Sequence, residues 1–400
     1  MEDIKNIDSE SKLIQTGANR MDWIRSRMFM LERVRREFKE TRPFAGHRIG
    51  MSLHLEPKTA VLLETLAAGG AEIVATGNHG STQDDIVAFL RSQGMKIFGA
   101  RADSLEQHHK NIAAVLDSTP DVLLDNGADL VAGIAERGAY DSVLGGTEET
   151  TSGGLRLRDQ LREKVPYPVI VINDSLLKAI GENRHAVGQS VVESLMRITN
   201  LMIPGKHFAV VGYGWCGRGV AQYLRALGGI VTVVETDILK SFEAALDGHR
   251  VDSAKNAAAW ADVVITATGQ NNVFGSSEFR NLRNGVVLAN CGHFPWEIDV
   301  ESLKNSARSV VDIDGTLERI ELDDGRKVVL VADGRMFNLA GNQPKGNSIE
   351  SMDLGFMLQA LSLEYVVKNH QAMQNGAQCV PRVIEEEIAR RLLDSMDVSR

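Results

Sequence analysis

Three glycines are the residues best placed to do chemistry. Gly212, Gly214 and Gly217 follow the apolar run His207-Phe-Ala-Val-Val211 and precede a helix-patterned segment. A strand turns tightly onto a helix beside a pyrophosphate only where the turn lacks Cβ atoms. At this spacing Gly212 makes the turn, Gly214 admits the phosphates and Gly217 lets helix and strand pack closely. The helix N-terminus then offers unpaired N–H groups and a partial positive charge to the anion. A second apolar run, Val231-Thr-Val-Val234, ends at Glu235, about 20 residues past the glycines, where an acid reads the ribose 2′-OH of NAD. A carboxylate there repels a 2′-phosphate, so the pattern points to NAD rather than NADP.

The first half of the chain offers a second set of polar residues, each just past an apolar run. His54 and Glu56 come first, then Asn78, His79, Ser81, Thr82 and Gln83, then Asp125-Asn126-Gly127. Thr147-Glu148-Glu149-Thr150-Thr151-Ser152 and Asn173-Asp174-Ser175, with Lys178, complete the set. In open parallel sheets the ligand lies beyond the carboxyl ends of the strands, so five such clusters at one sheet edge make a pocket. They supply the acids, bases and hydrogen-bond partners that a polyhydroxyl substrate needs.

Those clusters require a βα rhythm, and the hydrophobic pattern supplies one. Expected strands are 48–54, 71–76, 95–98, 122–124, 142–144 and 169–172 in the first half. The second half adds 207–211, 231–235, 263–266, 286–289, 309–311 and 328–331. Helical patterns cover 14–41, 58–68, 190–200, 253–260, 352–367 and 380–396. Strands alternating with helices imply parallel sheets covered on both faces. The fold class is α/β, with two Rossmann-like, doubly wound parallel-sheet domains and C-terminal helices. Residues 1–185 form a substrate-binding domain completed by 347–400, and residues 186–346 form the NAD-binding domain.

Bulk composition narrows the classes. With 400 residues, 43% hydrophobic and 24% charged, the chain suits an ordinary globular protein of two domains. The net charge of −9 argues against nucleic acid or an anionic membrane as partner. Cys216, Cys291 and Cys379 cannot all pair and lack metal-ligand spacing, so no metal is expected and a reducing, cytoplasmic setting is. Cys216 reads as packing.

The motifs resemble those of the S-adenosylhomocysteine hydrolase family, over nearly the whole chain and in the shorter, prokaryotic form. The resemblance rests on Ser52-Leu-His-Leu-Glu-Pro-Lys-Thr59, Ser81-Thr-Gln-Asp84, Glu148-Glu-Thr-Thr151 and Val171-Ile-Asn-Asp-Ser175. It continues through Gly212-Tyr-Gly-Trp-Cys-Gly-Arg-Gly219, Asn290-Cys-Gly-His-Phe294 and Phe337-Asn-Leu339. It implies a redox-neutral enzyme that oxidises a ribose 3′-OH with NAD, eliminates the 5′ substituent, adds a nucleophile and reduces the ketone again. By position, it implies that Lys178 with Glu182 holds and deprotonates the 3′-OH and that Glu149 binds the ribose hydroxyls. His54 serves proton transfer at C5′, and His293 sits near the keto group. Thr150, Thr151, Ser152, Asn183, Glu235, Asn272, Asn290 and Asn338 join the three glycines in contacting NAD.

Several positions depart from the family. Its Asp-Asp-Gly-Gly-Asp-Leu is here Asp125-Asn-Gly-Ala-Asp-Leu130, so Asn126 stands where a proton-transferring aspartate is usual. An amide takes no proton at neutral pH. Glu182 replaces an aspartate, and Val187 a cysteine or threonine. The gating Gly-His-Pro segment becomes Gly341-Asn-Gln-Pro-Lys-Gly-Asn-Ser348, without histidine. The chain ends at Arg400 without the family's terminal Lys/Tyr extension that reaches the NAD of a neighbouring subunit, so NAD is expected to be held less tightly. The departures spare the cofactor residues and fall on proton transfer and the gate. They suggest a paralogue that eliminates the 5′ group of a modified purine nucleoside, by hydrolase-like or dehydratase chemistry, and works as a homo-oligomer, dimer or tetramer. A true adenosylhomocysteinase is the alternative within the mechanism. A simple NAD-dependent dehydrogenase is the alternative outside it, and would leave Lys178 and Glu182 idle. A non-catalytic NAD-sensing relative would not need Lys178, Glu149, His54 and His293.

Overall fold

Buried strands that are covered on both faces must be apolar at every position, and the alternation of side chains then splits each strand between two cores. The strand Val122–Asp125 does this: Val122 and Leu124 belong to one hydrophobic cluster and Leu123 to the other. The same holds for His207–Val211, with Phe208 and Val210 on one face and Ala209 and Val211 on the other. The computed structural model describes residues 2–78, 80–138, 140–292, 295–340 and 344–397. It divides into two compact units, Met1–Lys178 with Ile349–Arg400, and Ala179–Ser348. The division thus falls at 178/179 and 348/349, a few residues from the boundaries expected from sequence.

The first unit carries β1 (Arg48–Ser52), β2 (Glu72–Thr76), β3 (Lys96–Phe98), β4 (Val122–Asp125), β5 (Gly145–Glu148) and β6 (Pro168–Val171). With a C-terminal strand, Gly376–Cys379, beside β6, the sheet runs in the order Gly376–Cys379, β6, β5, β4, β1, β2, β3. All its pairs are parallel. The chain leaves β1 towards β2 and β3 and returns on the other side through β4, so the topological switch lies between β1 and β4. His54 follows one of those strands and Asn126 the other.

The second unit carries β7 (His207–Val211), β8 (Ile230–Val234), β9 (Arg250–Val251), β10 (Val263–Thr266), β11 (Val287–Asn290), β12 (Ala307–Asp312), β13 (Leu317–Leu322) and β14 (Lys327–Val331). Their order is β12, β13, β14, β11, β10, β7, β8, β9. Five adjacent pairs from β14 to β9 are parallel, and β12 to β14 form an antiparallel meander. The switch lies between β7 and β10.

Four expectations need correction. The fifth strand is 145–148, not 142–144, because Gly145 and Gly146 fit where side chains do not. A Cβ on Gly146 would lie 2.4 Å from the Leu123 carbonyl oxygen, and one on Gly145 2.6 Å from that of Pro168. The helix expected over 14–41 is two, Glu2–Arg25 and Phe29–Thr41. The second is capped from far away, the buried Asp353 carboxylate accepting from the N–H groups of Met30 and Leu31 at 2.8 Å each. β9, β13 and Gly376–Cys379 were not expected, and β13 makes the second sheet mixed instead of purely parallel. The last helix begins at Arg382 instead of 380, just after Pro381, which suits a helix start.

Candidate functional site

In the first unit the carboxyl ends of the strands gather expected residues, His79 lying outside the described ones. Glu149, one residue past β5, is buried and so is Lys178. The Lys178 ammonium bonds one oxygen of the Glu149 carboxylate. Asp174, four residues before Lys178, pairs with Arg158. Lys178 opens a π-helix, Lys178–Ala186, that also carries Glu182 and Asn183. Such turns are rare and frequently lie at functional sites. Gln359 on the helix Ile349–Asn369 reaches the other Glu149 oxygen. Sequence reasoning missed it, although a glutamine inside Phe356-Met-Leu-Gln-Ala-Leu361 breaks an apolar run and is a signal of buried polar work.

Further along the edge, His54 Nδ1 lies 2.8 Å from Ser81 Oγ, so two strand-end clusters meet. Asn78 donates from Nδ2 to Asn126 Oδ1 at 3.1 Å, and Asn126 is buried. The loop that presents Asn126 is held by two fully buried carboxylates. Asp125 accepts from the N–H groups of Asn126 and Val131, each at 3.0 Å. Glu148 accepts from Gly127 at 3.0 Å and Ala128 at 2.9 Å, two residues with left-handed backbone that turn their N–H groups to one side. Burial, opposed by these hydrogen bonds, pushes both carboxyls above their ordinary range, and the Glu148 charge raises Asp125 further.

Glu148 also fixes the next helix. It accepts from Thr150 N–H at 2.7 Å and Thr150 Oγ1 at 2.6 Å, while Thr150 Oγ1 caps the helix Thr151–Arg158 by accepting from Gly153 N–H at 3.0 Å. Ser152 Oγ lies 3.0 Å from Thr150 Oγ1, and Thr151 Oγ1 accepts from Asn173 at 2.7 Å. These three hydroxyls belong to the first unit.

In the second unit each glycine of the loop has a distinct physical reason. Gly212 has φ +100°, a conformation that favours glycine. A Cβ on Gly217 would stand 2.0 Å from the Gly212 carbonyl oxygen, whereas one on Gly214 would meet nothing within 4 Å. The space that a dinucleotide phosphate needs is therefore open at Gly214, which directly precedes the N-terminus of the helix Trp215–Ala226. At the end of β8, Glu235 accepts from Tyr213 N–H at 2.7 Å, Thr236 N–H at 2.8 Å and Asp237 N–H at 3.0 Å. Burial pushes this carboxyl up, but the three N–H groups outweigh it and hold it below its ordinary range. Glu235 is thus a charged acceptor locked onto the glycine turn.

The loops after β10 and β11 share a second anchor that sequence reasoning missed. Glu297, fully buried, accepts from Thr268 N–H and Oγ1 at 2.9 Å each and from Gly269 N–H at 2.6 Å. It leaves Gly292 no room for a Cβ. Asn272 is exposed with φ +51° in the same loop region. The Asn290 side chain is committed to its own turn, accepting from Thr266 Oγ1 at 2.9 Å and Gly292 N–H at 2.8 Å and donating to the Gly334 carbonyl at 2.9 Å. Burial pushes the neighbouring Cys291 thiol well above its ordinary range. Asn338 donates to Ser190 Oγ at 3.0 Å, and Asn347 bridges Ser190 at 3.4 Å and Glu182 Oε1 at 3.3 Å. This chain ties Glu182 to Asn338 through Asn347 of the altered gate segment and the hydroxyl of Ser190, which the sequence did not single out. Asn183 is half-buried beside Glu182 on the π-helix. His293, and Asn342 of the altered gate segment, lie outside the described residues.

No helix among the described residues is long and apolar enough to cross a membrane. The family model described as S-adenosyl-L-homocysteine hydrolase matches residues 4–143, and that described as S-adenosyl-L-homocysteine hydrolase, NAD binding domain, matches residues 183–343. A relative named S-inosyl-L-homocysteine hydrolase, from Methanopyrus kandleri, is 42% identical over 97% of this chain and 92% of its own length. One named adenosylhomocysteinase, from Pyrococcus abyssi, is also 42% identical, over the same 97% and 92%. Among solved structures, a dipicolinate synthase chain from Bacillus halodurans matches 81% of this chain and 99% of its own, with a TM-score of 0.53 at 14% identity. That last likeness is one of fold alone.

Proposed function

The chain belongs to the S-adenosylhomocysteine hydrolase family, whose NAD-binding domain it carries, and from that premise we propose that it removes the 5′ substituent of a modified purine nucleoside in a redox-neutral cycle. NAD, when bound, supplies a hydride acceptor at the ribose 3′ carbon that is regenerated within the cycle. Gly212, Gly214, Gly217 and Glu235 would hold it, with Asn272 and Asn338 as further contacts. Glu149 accepts hydrogen bonds from the ribose hydroxyls, and Lys178, fixed by the Glu149 carboxylate, moves the proton at O3′ with Glu182. His54, oriented by Ser81, moves the proton at the departing 5′ group.

The observation that carries the substrate assignment is Asn126. It is a buried amide, hydrogen-bonded to a second amide, at the position where the family pattern has a proton-transferring acid. The change falls at the 5′ end of the site and leaves His54 as the group that moves a proton there, which supports a 5′ substituent other than that of the family's usual substrate. The second reading is hydrolysis of S-adenosyl- or S-inosylhomocysteine, favoured by the names of the two relatives. Mass spectrometry of products from S-adenosylhomocysteine, S-inosylhomocysteine, adenosine and inosine separates the two. Loss of water from a nucleoside supports the first, and release of homocysteine at a rate unaffected by nucleosides replaces it with the second. Net formation of NADH would exclude both.

A further inference from the structure

A fully buried glutamine on a helix that packs against a sheet is costly unless its amide has a task. Gln359 is 0% exposed and sits on the helix Ile349–Asn369, among the buried Phe356, Met357, Leu358 and Ala360. Its Nε2 donates to Glu149 Oε2, while Lys178 Nζ holds Glu149 Oε1. Its own Oε1 accepts no hydrogen bond among the described residues. Packing alone would have been served by leucine or methionine, which leave no polar atom unsatisfied.

We infer that Gln359 is a positioning residue for Glu149. A carboxylate held only by Lys178 can swing about its Cγ–Cδ bond. Held at both oxygens, it presents its remaining lone pairs in one direction, towards whatever hydroxyls it is to accept. A neutral donor does this without cancelling the charge, which a second lysine would do, and without repelling it, which a second acid would do. The unpaired Oε1 is a consequence: the amide is turned so that its donor faces Glu149. This assignment rests on the reading of Glu149 as the ribose-binding carboxylate, but the contact itself can be tested without substrate.

The test uses full-length protein with NAD and two variants, Gln359→Met and Gln359→Glu. Methionine keeps the volume and removes the donor. The Met variant should bind NAD as the wild type does and lose kcat/KM on the order of a hundredfold, with no change in the shape of its pH profile. The Glu variant places a second carboxyl against Glu149, so the two compete for one proton and one of them is held protonated to higher pH than an ordinary carboxyl. The introduced carboxyl still donates when protonated, so activity should recover towards acid pH and vanish as pH rises. A structural role alone would lower the melting temperature of both variants and leave the pH profile unmoved, and that result would overturn the inference. Wild-type protein inert on every nucleoside of the panel would sink the reading of function instead. In that case the contact is judged by stability. The gap in melting temperature between wild type and Gln359→Glu should widen from pH 5 to pH 8, and a constant gap would refute it.

Discussion

Adjacent acids with different duties show how much a single peptide step decides. Glu148, the last residue of β5, and Glu149, the next one, have different partners. Glu148 clamps the loop that carries Asn126, and Glu149 meets Lys178 and Gln359. Their being strand-end acids was readable in the sequence. That Glu148 was the structural one was not, because its partners are backbone N–H groups that only the loop geometry turns inward. The clamp has a measurable signature. Asp125 and Glu148 are raised above 3.8 and 4.5, to about 8 and about 7. A carboxyl raised on folding contributes stability that is fully present below its unfolded value and lost as pH rises through its folded one. The wild-type melting temperature should therefore fall from pH 5 to pH 8.5. Asp125→Asn removes one titrating group and one acceptor, which costs about 1–3 kcal/mol at acid pH, and its pH dependence should be flatter. Two parallel curves in a calorimetric pH series would contradict the coupling.

At the scale of elements, the glycine turn was fully legible because its constraint is local: strand, turn and helix lie within one stretch of chain. The three glycines are separable by experiment. Gly217→Ala drives a methyl into the Gly212 carbonyl, so it should destabilise the fold by about 1–3 kcal/mol and abolish NAD binding with it. Gly214 has φ −72°, which alanine adopts freely, and open space beyond it. Gly214→Ala should therefore melt within about 1 °C of wild type while its affinity for NAD falls at least tenfold, since a methyl now occupies the phosphate's place. Equal losses of stability in the two variants, followed by thermal melts with and without NAD, would refute this division of labour. Other elements were illegible for the converse reason. Nothing near Ser26–Met28 announces a helix break, because the cap, Asp353, is supplied by a segment more than 300 residues away. Nothing in Gly145-Gly146 favours a strand until the neighbouring carbonyls are known.

Over the whole molecule, the first unit is assembled from two distant stretches, 1–178 and 349–400. The second stretch brings the edge strand Gly376–Cys379, the Asp353 cap and Gln359. Its sheet edge is thus complete only once the C-terminal segment has joined it, a long-range closure that slows folding more than it weakens the product. The second unit is continuous and shows a feature of its own. On the helix Ile238–Leu246, Ile238, Leu239, Phe242 and Leu246 are 78%, 75%, 62% and 72% exposed. They recur at helical spacing as a stripe, which makes this helix the place to test the expected homo-oligomer. Lys240 and Glu243 flank it with both signs of charge, so the same face can oppose itself across a two-fold axis, as an isologous dimer requires. The expectation of a homo-oligomer can be judged there. Light scattering should give wild-type protein a mass that is a multiple of the protomer's. Phe242→Glu, which sets like charges in the middle of the stripe, should lower that mass without lowering the melting temperature of the separated protomer's core. A wild type that is monomeric at micromolar concentration would overturn the expectation of a homo-oligomer.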